Sequence, residues 1–393
     1  MEGKRLLRSL SLKNILSFGP EGVDIELQPL NVLIGPNGSG KSNFLEVIRL
    51  LQATPRDLTA PISRGGGIHE WLWKGGTDEA HAEIKVDAVM EPNLHVRHML
   101  AFGAINERLW IHDETVHNLR RVRNESPLLI YGTEEGIPYI HVSHPKEKKE
   151  PLNPATRNFT QSILAQRDLP HSTFISFLQI QYSQIRLYSR VYFGQDNPAR
   201  QAQPADMETD FLREDSSNLA LILSDLRNRR SFKRILLDNL QIFNPRIEDF
   251  GVRVAFGMAL TILEESGLEN AIPATRLSDG TLRFLSLLAV LCHPEPPPLV
   301  CIEEPELGMH PDIIPAIAEL LIEASHRTQL IITTHSDMLV SKMYDVPEAI
   351  IVCEREDRGT TMRRLTPQEL EGWPEHYTLG DIWLKGAIGG VRW

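Results

Sequence analysis

Gly35-Pro36-Asn37-Gly38-Ser39-Gly40-Lys41-Ser42 is the stretch on which the reading of this chain turns. It fits G-x-x-x-x-G-K-[ST], a spacing in which glycines let the backbone curl until successive N–H groups face one point. The flanks supply the context that the pattern needs. Leu30 to Ile34 is a short apolar run with strand character. From Lys41 to Gln52 the apolar residues Phe44, Val47, Ile48 and Leu51 fall at i, i+3, i+4 and i+7, one face of a helix. Strand, loop and helix in that order set the loop at a helix N-terminus, where free N–H groups and the dipole favour an anion. Lys41 then reaches the β- and γ-phosphates of a nucleotide, and the Ser42 hydroxyl is placed to ligate Mg²⁺. The competing reading, a glycine-rich turn that matches by chance, requires neither flank.

A second signal lies far along the chain. Leu299-Val300-Cys301-Ile302-Glu303-Glu304 is an apolar strand ending in two adjacent carboxylates. Burying such an end is costly unless the acids hold a metal or a water. Glu303 fits an outer-sphere role toward Mg²⁺, and Glu304 fits a group that orients and polarises an attacking water. Acids also begin turns after strands, and Pro305 follows directly. Farther on, the strand Leu330-Ile331-Ile332-Thr333-Thr334 ends in His335-Ser336. A histidine there is either a γ-phosphate sensor or an ordinary surface residue, and its order and spacing after the acidic strand favour the sensor. Between the phosphate loop and the acidic strand lies Arg276-Leu277-Ser278-Asp279-Gly280-Thr281-Leu282-Arg283. Ser278 is a good N-cap for the apolar helix that follows. The functional alternative has Ser278, the Gly280 backbone and the helix dipole gripping the γ-phosphate of a nucleotide held by another subunit.

These four elements, in this order, resemble the ABC ATPase superfamily. Gly35 to Asn43, GPNGSGKSN, looks like its Walker A, and LSDGTLR like its signature segment. CIEEPE looks like Walker B with the catalytic glutamate, and TTHS like the switch-histidine loop. Glu306-Leu307-Gly308-Met309-His310-Pro311 resembles the D-loop of the non-transporter branch, which includes RecF-like repair proteins, structural-maintenance-of-chromosomes heads and OLD-family ATPases. The ending, Leu379 to Trp383 and Gly389 to Trp393, is similar to bacterial predicted ATPases close to the OLD group. The motif match covers roughly residues 5–55 and 270–340.

The resemblance implies an α/β fold: an ABC ATPase head with a parallel P-loop core sheet, an antiparallel β subdomain and a mostly helical insertion. It implies ATP and Mg²⁺ as cofactors and hydrolysis of ATP to ADP and phosphate, with Glu304 and His335 catalytic. Gly35, Pro36, Asn37, Gly38, Ser39, Gly40, Lys41, Ser42 and Asn43 would bind the nucleotide, with Ser278 and Gly280 completing it; Ser42 and Glu303 would hold the metal. Partners follow: a homodimer formed through an ATP sandwich, a separate effector protein, and nucleic acid as in DNA repair or phage defence. Three departures stand out. Asp279 replaces a glycine and Thr281 a glutamine of the transporter signature, and Glu303 stands in place of the usual aspartate. The glutamine loop has candidates in Gln179, Gln181 and Gln184, with no ground for choosing. The tail after His335 is short for a Toprim nuclease domain, so nuclease activity is not expected.

Composition sets the remaining bounds. The 393 residues are 41% hydrophobic and 24% charged, enough for a sizeable core in two lobes or in one domain with a large insertion. A formal net charge of −11 disfavours binding to DNA or anionic membrane over the whole surface. The densest basic cluster is Arg227, Arg229, Arg230, Lys233 and Arg234; on one helix Arg227, Arg230 and Arg234 would share a face. That face either meets phosphates or is simply solvated. Cys292, Cys301 and Cys353 are too few and scattered for a disulfide framework or a zinc site. Without a signal peptide or a run of about 18 apolar residues, a soluble cytoplasmic protein is expected.

The organisation expected is an N-terminal ATPase lobe over 1–149, a mostly helical insertion over 150–247 and a C-terminal ATPase lobe over 248–393. Residues 55–78 read as an irregular loop, 79–90, 95–104, 107–112, 127–131 and 137–143 as antiparallel strands, 144–152 as a boundary, and 251–263 as strand. The leading function is an ATP-driven switch acting on an effector or nucleic acid. The alternatives are a transporter nucleotide-binding subunit and a small-molecule P-loop kinase; the latter does not need Ser278, Glu304 and His335 together.

Overall fold

The computed structural model describes residues 3–75, 81–119, 128–134, 137–142, 148–152, 158–166, 172–370 and 377–390. At its centre six strands lie side by side in the order Arg186–Tyr188, Leu299–Glu303, Gln329–Thr333, Leu30–Ile34, Ile350–Glu356 and Gly359–Arg364. The first five run parallel, and the last closes the edge antiparallel. Because both faces of a parallel sheet are covered, its strands read as continuous apolar runs rather than alternating ones. Successive residues nonetheless go to different cores. Leu30, Val32 and Ile34 join Val300, Ile302, Leu330 and Ile332 on one face, while Leu33, Leu299, Cys301 and Ile331 join the other.

Over the second face lies the helix Lys41–Ala53, burying Phe44, Val47, Ile48 and Leu51 as its periodicity predicts. Outside it an eight-stranded antiparallel sheet runs in the order Val23–Glu26, Leu7–Lys13, Ala82–Glu91, Leu94–Ile105, Arg108–Asn118, Leu128–Glu134, Ile137–Val142 and Lys148–Pro151. The expected antiparallel sheet is present, and residues 148–151, read as boundary, add its last strand. One buried side chain ties the two sheets. Gln329 accepts from Leu6 N and Leu7 N at 3.0 and 2.8 Å and donates to the carbonyls of Leu7 and Gln28 at 2.8 and 3.0 Å. A buried amide with all these bonds made pins register without leaving an unsatisfied group.

Elsewhere the structure departs from expectation. Residues 55–75 hold two short helices, Thr59–Arg64 and Ile68–Trp71, where a loop was expected. Leu58, Ile62, Ile68 and Trp71 are buried in the core, so tertiary packing overrides the Pro and Gly punctuation. Within the stretch read as mostly helical, Arg186–Tyr188 forms the edge strand of the core sheet; residues 153–157 and 167–171 of that stretch lie outside the described residues. The single strand expected over 251–263 is a hairpin, Ile247–Ala255 with Met258–Glu265, turning at Phe256 and Gly257 with φ of 52° and 74°.

The basic cluster does not form one helix face. Leu219–Asn228 and Arg230–Phe243 are separate helices, broken at Arg229, whose ψ is 101°. Arg227 and Lys233 share Asp249 at 2.9 and 2.8 Å, Arg229 pairs with Asp225 at 3.2 Å, and Arg234 with Asp238 at 3.8 Å. Most of the positive charge is thus matched by carboxylates of the same chain. Among the described residues, no helix is long and apolar enough to cross a membrane.

Candidate nucleotide site

The phosphate loop connects Leu30–Ile34 to the helix Lys41–Ala53. Gly35 and Gly40 have φ of 150° and 100°, and a Cβ at either would sit 2.2 Å from the Cys353 carbonyl or 2.3 Å from Thr360 Oγ1. Glycine is required at both on conformation and on space. Gly40 offers no side-chain cap, so the first N–H groups of the helix are left for another acceptor. Lys41 is only 6% exposed. Its Nζ donates to the carbonyls of Gly35 at 2.7 Å and Pro36 at 3.1 Å. Burial pulls its pKa below the usual lysine range, against the raising effect of nearby anionic groups including Glu304 and Glu303. Asn37 and Gly38 are exposed at the loop tip, Ser39 is buried with an unpartnered Oγ, and Asn43 is half-buried in the first helical turn.

Three neighbouring parallel strands end at this loop, which is why residues distant in sequence meet here. Ser42 Oγ donates to Glu303 Oε1 at 2.5 Å. Glu304 N donates to the Thr333 carbonyl at 2.9 Å, and Glu304 has φ of 45°, a left-handed conformation rare for a non-glycine residue. His335 Nε2 stands 3.7 Å from Glu304 Oε1, with the two side chains 38% and 34% exposed. His335 is held below the usual histidine pKa, first by burial and then by the charge of Lys41, with Glu304 and Glu306 opposing.

Glu306, read in sequence only as part of the D-loop resemblance, has a further place. Its Oε1 accepts from Thr334 Oγ1 at 2.6 Å and from His335 N at 3.0 Å. No sequence pattern announces that contact, because it joins two loops across the sheet end.

Ser278 and Gly280 sit apart from this group. Ser278 caps the helix Asp279–Leu291, accepting from Thr281 N at 3.0 Å, and is exposed. Among the described residues neither hydrogen-bonds to residues 35–43. Asp279, the departure from the transporter signature, has a structural partner. Its carboxylate accepts from Gly194 N at 2.9 Å and Arg200 Nη2 at 2.6 Å, while Arg200 Nη1 donates to the Leu277 carbonyl at 2.5 Å. Sequence reasoning missed Arg200, although an acid in a glycine position was the signal for a partner. Of the glutamine candidates, Gln179 donates to the Leu164 carbonyl at 2.9 Å and Gln184 terminates its helix. After the edge strand it is Ser189 that meets the phosphate-loop helix, accepting from Arg49 at 2.8 Å.

The C-terminal tail closes behind the loop. Gly390 N donates to Glu354 Oε1 at 3.0 Å, and a Cβ on Gly390 would lie 3.5 Å from Gly35 Cα. Val391, Arg392 and Trp393 lie outside the described residues.

These donors suit the groups implied by the resemblance. A buried ammonium and an uncapped helix start fit a phosphate chain, and the Ser42–Glu303 oxygen pair fits a hard divalent cation.

The family described as "AAA domain, putative AbiEii toxin, Type IV TA system" matches residues 30–341. No curated protein sequence matches the chain. Among solved structures, it is similar to an Smc head bound to the C-winged helix domain of ScpA, at 14% identity and TM-score 0.56, covering 93% of this chain and 99% of that one. It is also similar to the Smc head with an extended coiled coil bound to the C-terminal domain of ScpA from Pyrococcus furiosus, at 14% identity and TM-score 0.52, covering 93% and 97%. At that identity the likeness speaks for the fold. From the phosphate loop through the histidine strand the chain belongs to this AAA-domain family, and it is a P-loop ATPase-type protein built on the ABC-like head fold.

Proposed function

We propose that the protein hydrolyses ATP with Mg²⁺ in a site completed by a second copy, and that the resulting open and closed states control a separate effector or a nucleic-acid transaction of the repair or phage-defence type. The observation that carries this reading is the convergence of Lys41, Ser42, Glu303, Glu304 and His335 at the ends of three adjacent parallel strands. Lys41 neutralises charge on the β- and γ-phosphates. Ser42 and Glu303 would hold Mg²⁺, which supplies neutralisation of the developing phosphate charge. Glu304 orients and polarises the attacking water, and His335 offers an N–H to the γ-phosphate.

Dimerisation is supported by what surrounds Ser278. The helix start is exposed, and Phe193 and Leu307 beside Gly308 are 51% and 41% exposed, apolar surface suited to a partner. On this reading residues 1–149 and 248–393 form the two ATPase lobes of a cytoplasmic switch and 150–247 the insertion between them, which nonetheless lends Glu150 and Pro151 to the antiparallel sheet and Arg186–Tyr188 to the core sheet.

Glu304→Gln tests the chemistry. ATP binding should be kept and hydrolysis should fall about 10²–10⁴-fold, as for loss of a general base, with ATP-bound dimers accumulating in size-exclusion chromatography. Hydrolysis at the wild-type rate would remove Glu304 from the mechanism.

A further inference from the structure

Arg283 lies on the signature helix Asp279–Leu291, just past its Ser278 cap, and reaches across to the end of the acidic strand. Its Nη2 donates to the Glu304 carbonyl at 2.5 Å and to the Glu303 carbonyl at 3.3 Å. Glu304 holds φ of 45°, a conformation that a non-glycine residue keeps only where its surroundings impose it. Its two backbone groups are each engaged. The N–H is bonded to Thr333 on the neighbouring strand, and the carbonyl accepts both from Leu307 N at 3.0 Å and from Arg283 on the helix.

Among the described residues no hydrogen bond joins Arg283 to Glu306, whose influence on it is that of a nearby charge. Arg283 Nε and Glu306 Oε2 are both buried and both without a hydrogen-bond partner. Burial pulls the Arg283 pKa down to about 10, and the Glu306 charge is the foremost influence opposing it. The other oxygen of Glu306 takes the Thr334 hydroxyl and the His335 N–H. The bonds that fix Arg283 are thus those to the backbone at the end of the acidic strand.

We infer that Arg283 is a positioning residue that couples the signature helix to Glu304. The helix is a stiff rod with Ser278 at its tip and Arg283 on its flank. A displacement at the tip, when it meets a nucleotide held by another subunit, is carried to the Glu304 carbonyl and so to the angle at which its carboxylate faces the water. Both carbonyls accept from the one nitrogen Nη2, so a lysine ammonium brought to that point can replace part of the contact. The inference rests on Glu304 being the water-polarising group.

The test is a double-mutant cycle on the full chain. Arg283→Gln should leave ATP affinity and KM unchanged and lower kcat about 100-fold, the scale of an ångström-sized misplacement. Arg283→Lys should recover part of that loss. Under single-turnover conditions Arg283→Gln added to Glu304→Gln should cost nothing further, since both act through one carboxylate. Wild-type kcat in Arg283→Gln overturns the inference. So does a loss that adds fully to that of Glu304→Gln, and so does a loss of ATP affinity, which marks a merely structural role. Should the glutamine variant fail to fold, Arg283→Lys carries the same cycle. If Glu304→Gln hydrolyses normally, the catalytic reading falls first; if it is inactive while the Arg283 variants are not, only the coupling falls.

Discussion

At Lys41 the chain keeps an ammonium group 6% exposed, with only the loop carbonyls of Gly35 and Pro36 as hydrogen-bond partners among the described residues. A buried charge of this kind is costly unless something repays the lost hydration, and a phosphate chain supplies both charge and acceptors. Lys41→Ala should therefore lower ATP affinity by about 10- to 100-fold, the value of one or two hydrogen bonds to a charged group. Isothermal titration calorimetry reads this directly, and unchanged affinity would count against the nucleotide site. Glu304 is the other residue whose local state exceeds its sequence. Two adjacent acids at a strand end were legible; the left-handed turn between them and Pro305, which sends the two carboxylates to different partners, was not.

At the scale of elements, the signature helix shows how a departure from a motif acquires a reason. Asp279 and Arg200 join the helix start to the segment around Gly194, and Arg200 also holds the Leu277 carbonyl that leads into the cap. Side chains 14% and 28% exposed are partly shielded, so this pair is stronger than a surface ion pair. Arg200→Ala should destabilise the protein by about 1–3 kcal/mol, as for a hydrogen bond to a charged group left unmade. It should also slow ATP hydrolysis without lowering the affinity of the phosphate loop. Thermal denaturation beside nucleotide titration separates the two effects, and an unchanged melting temperature would mean that the contact holds nothing in place.

For the whole molecule, the arrangement places the phosphate loop and the signature tip in separate groups within one chain. If they act together, they act across a head-to-tail pair, in which two copies enclose two ATP molecules. Loss of the γ-phosphate then removes contacts that favour the closed state. Lys41→Ala subunits mixed with Ser278→Arg subunits should restore one intact site per heterodimer. The measurement is the ATPase rate of each variant alone and of the mixture, under conditions that allow exchange. A mixture no faster than its components, with heterodimers shown to form, would place Ser278 in its own subunit's chemistry or in none.

What the sequence by itself determined was local. The strand–loop–helix around Lys41, the apolar strands ending at Glu303 and Thr334, and the cap at Ser278 follow from periodicity and residue type within a few positions. The residues of the candidate site were legible as a group for the same reason, since each sits at the end of an element that announces itself. What only the tertiary structure decided was which ends meet. The edge strand Arg186–Tyr188 is too short to carry a pattern and exists because Leu299–Glu303 offers it a partner. Likewise the roles of Arg200, Arg283 and Glu306 depend on contacts between segments far apart in the chain, and the basic cluster lost its single face when the backbone broke at Arg229. Hydrogen bonds across loops leave no period in a sequence, because their geometry is set by the sheet that brings the loops together.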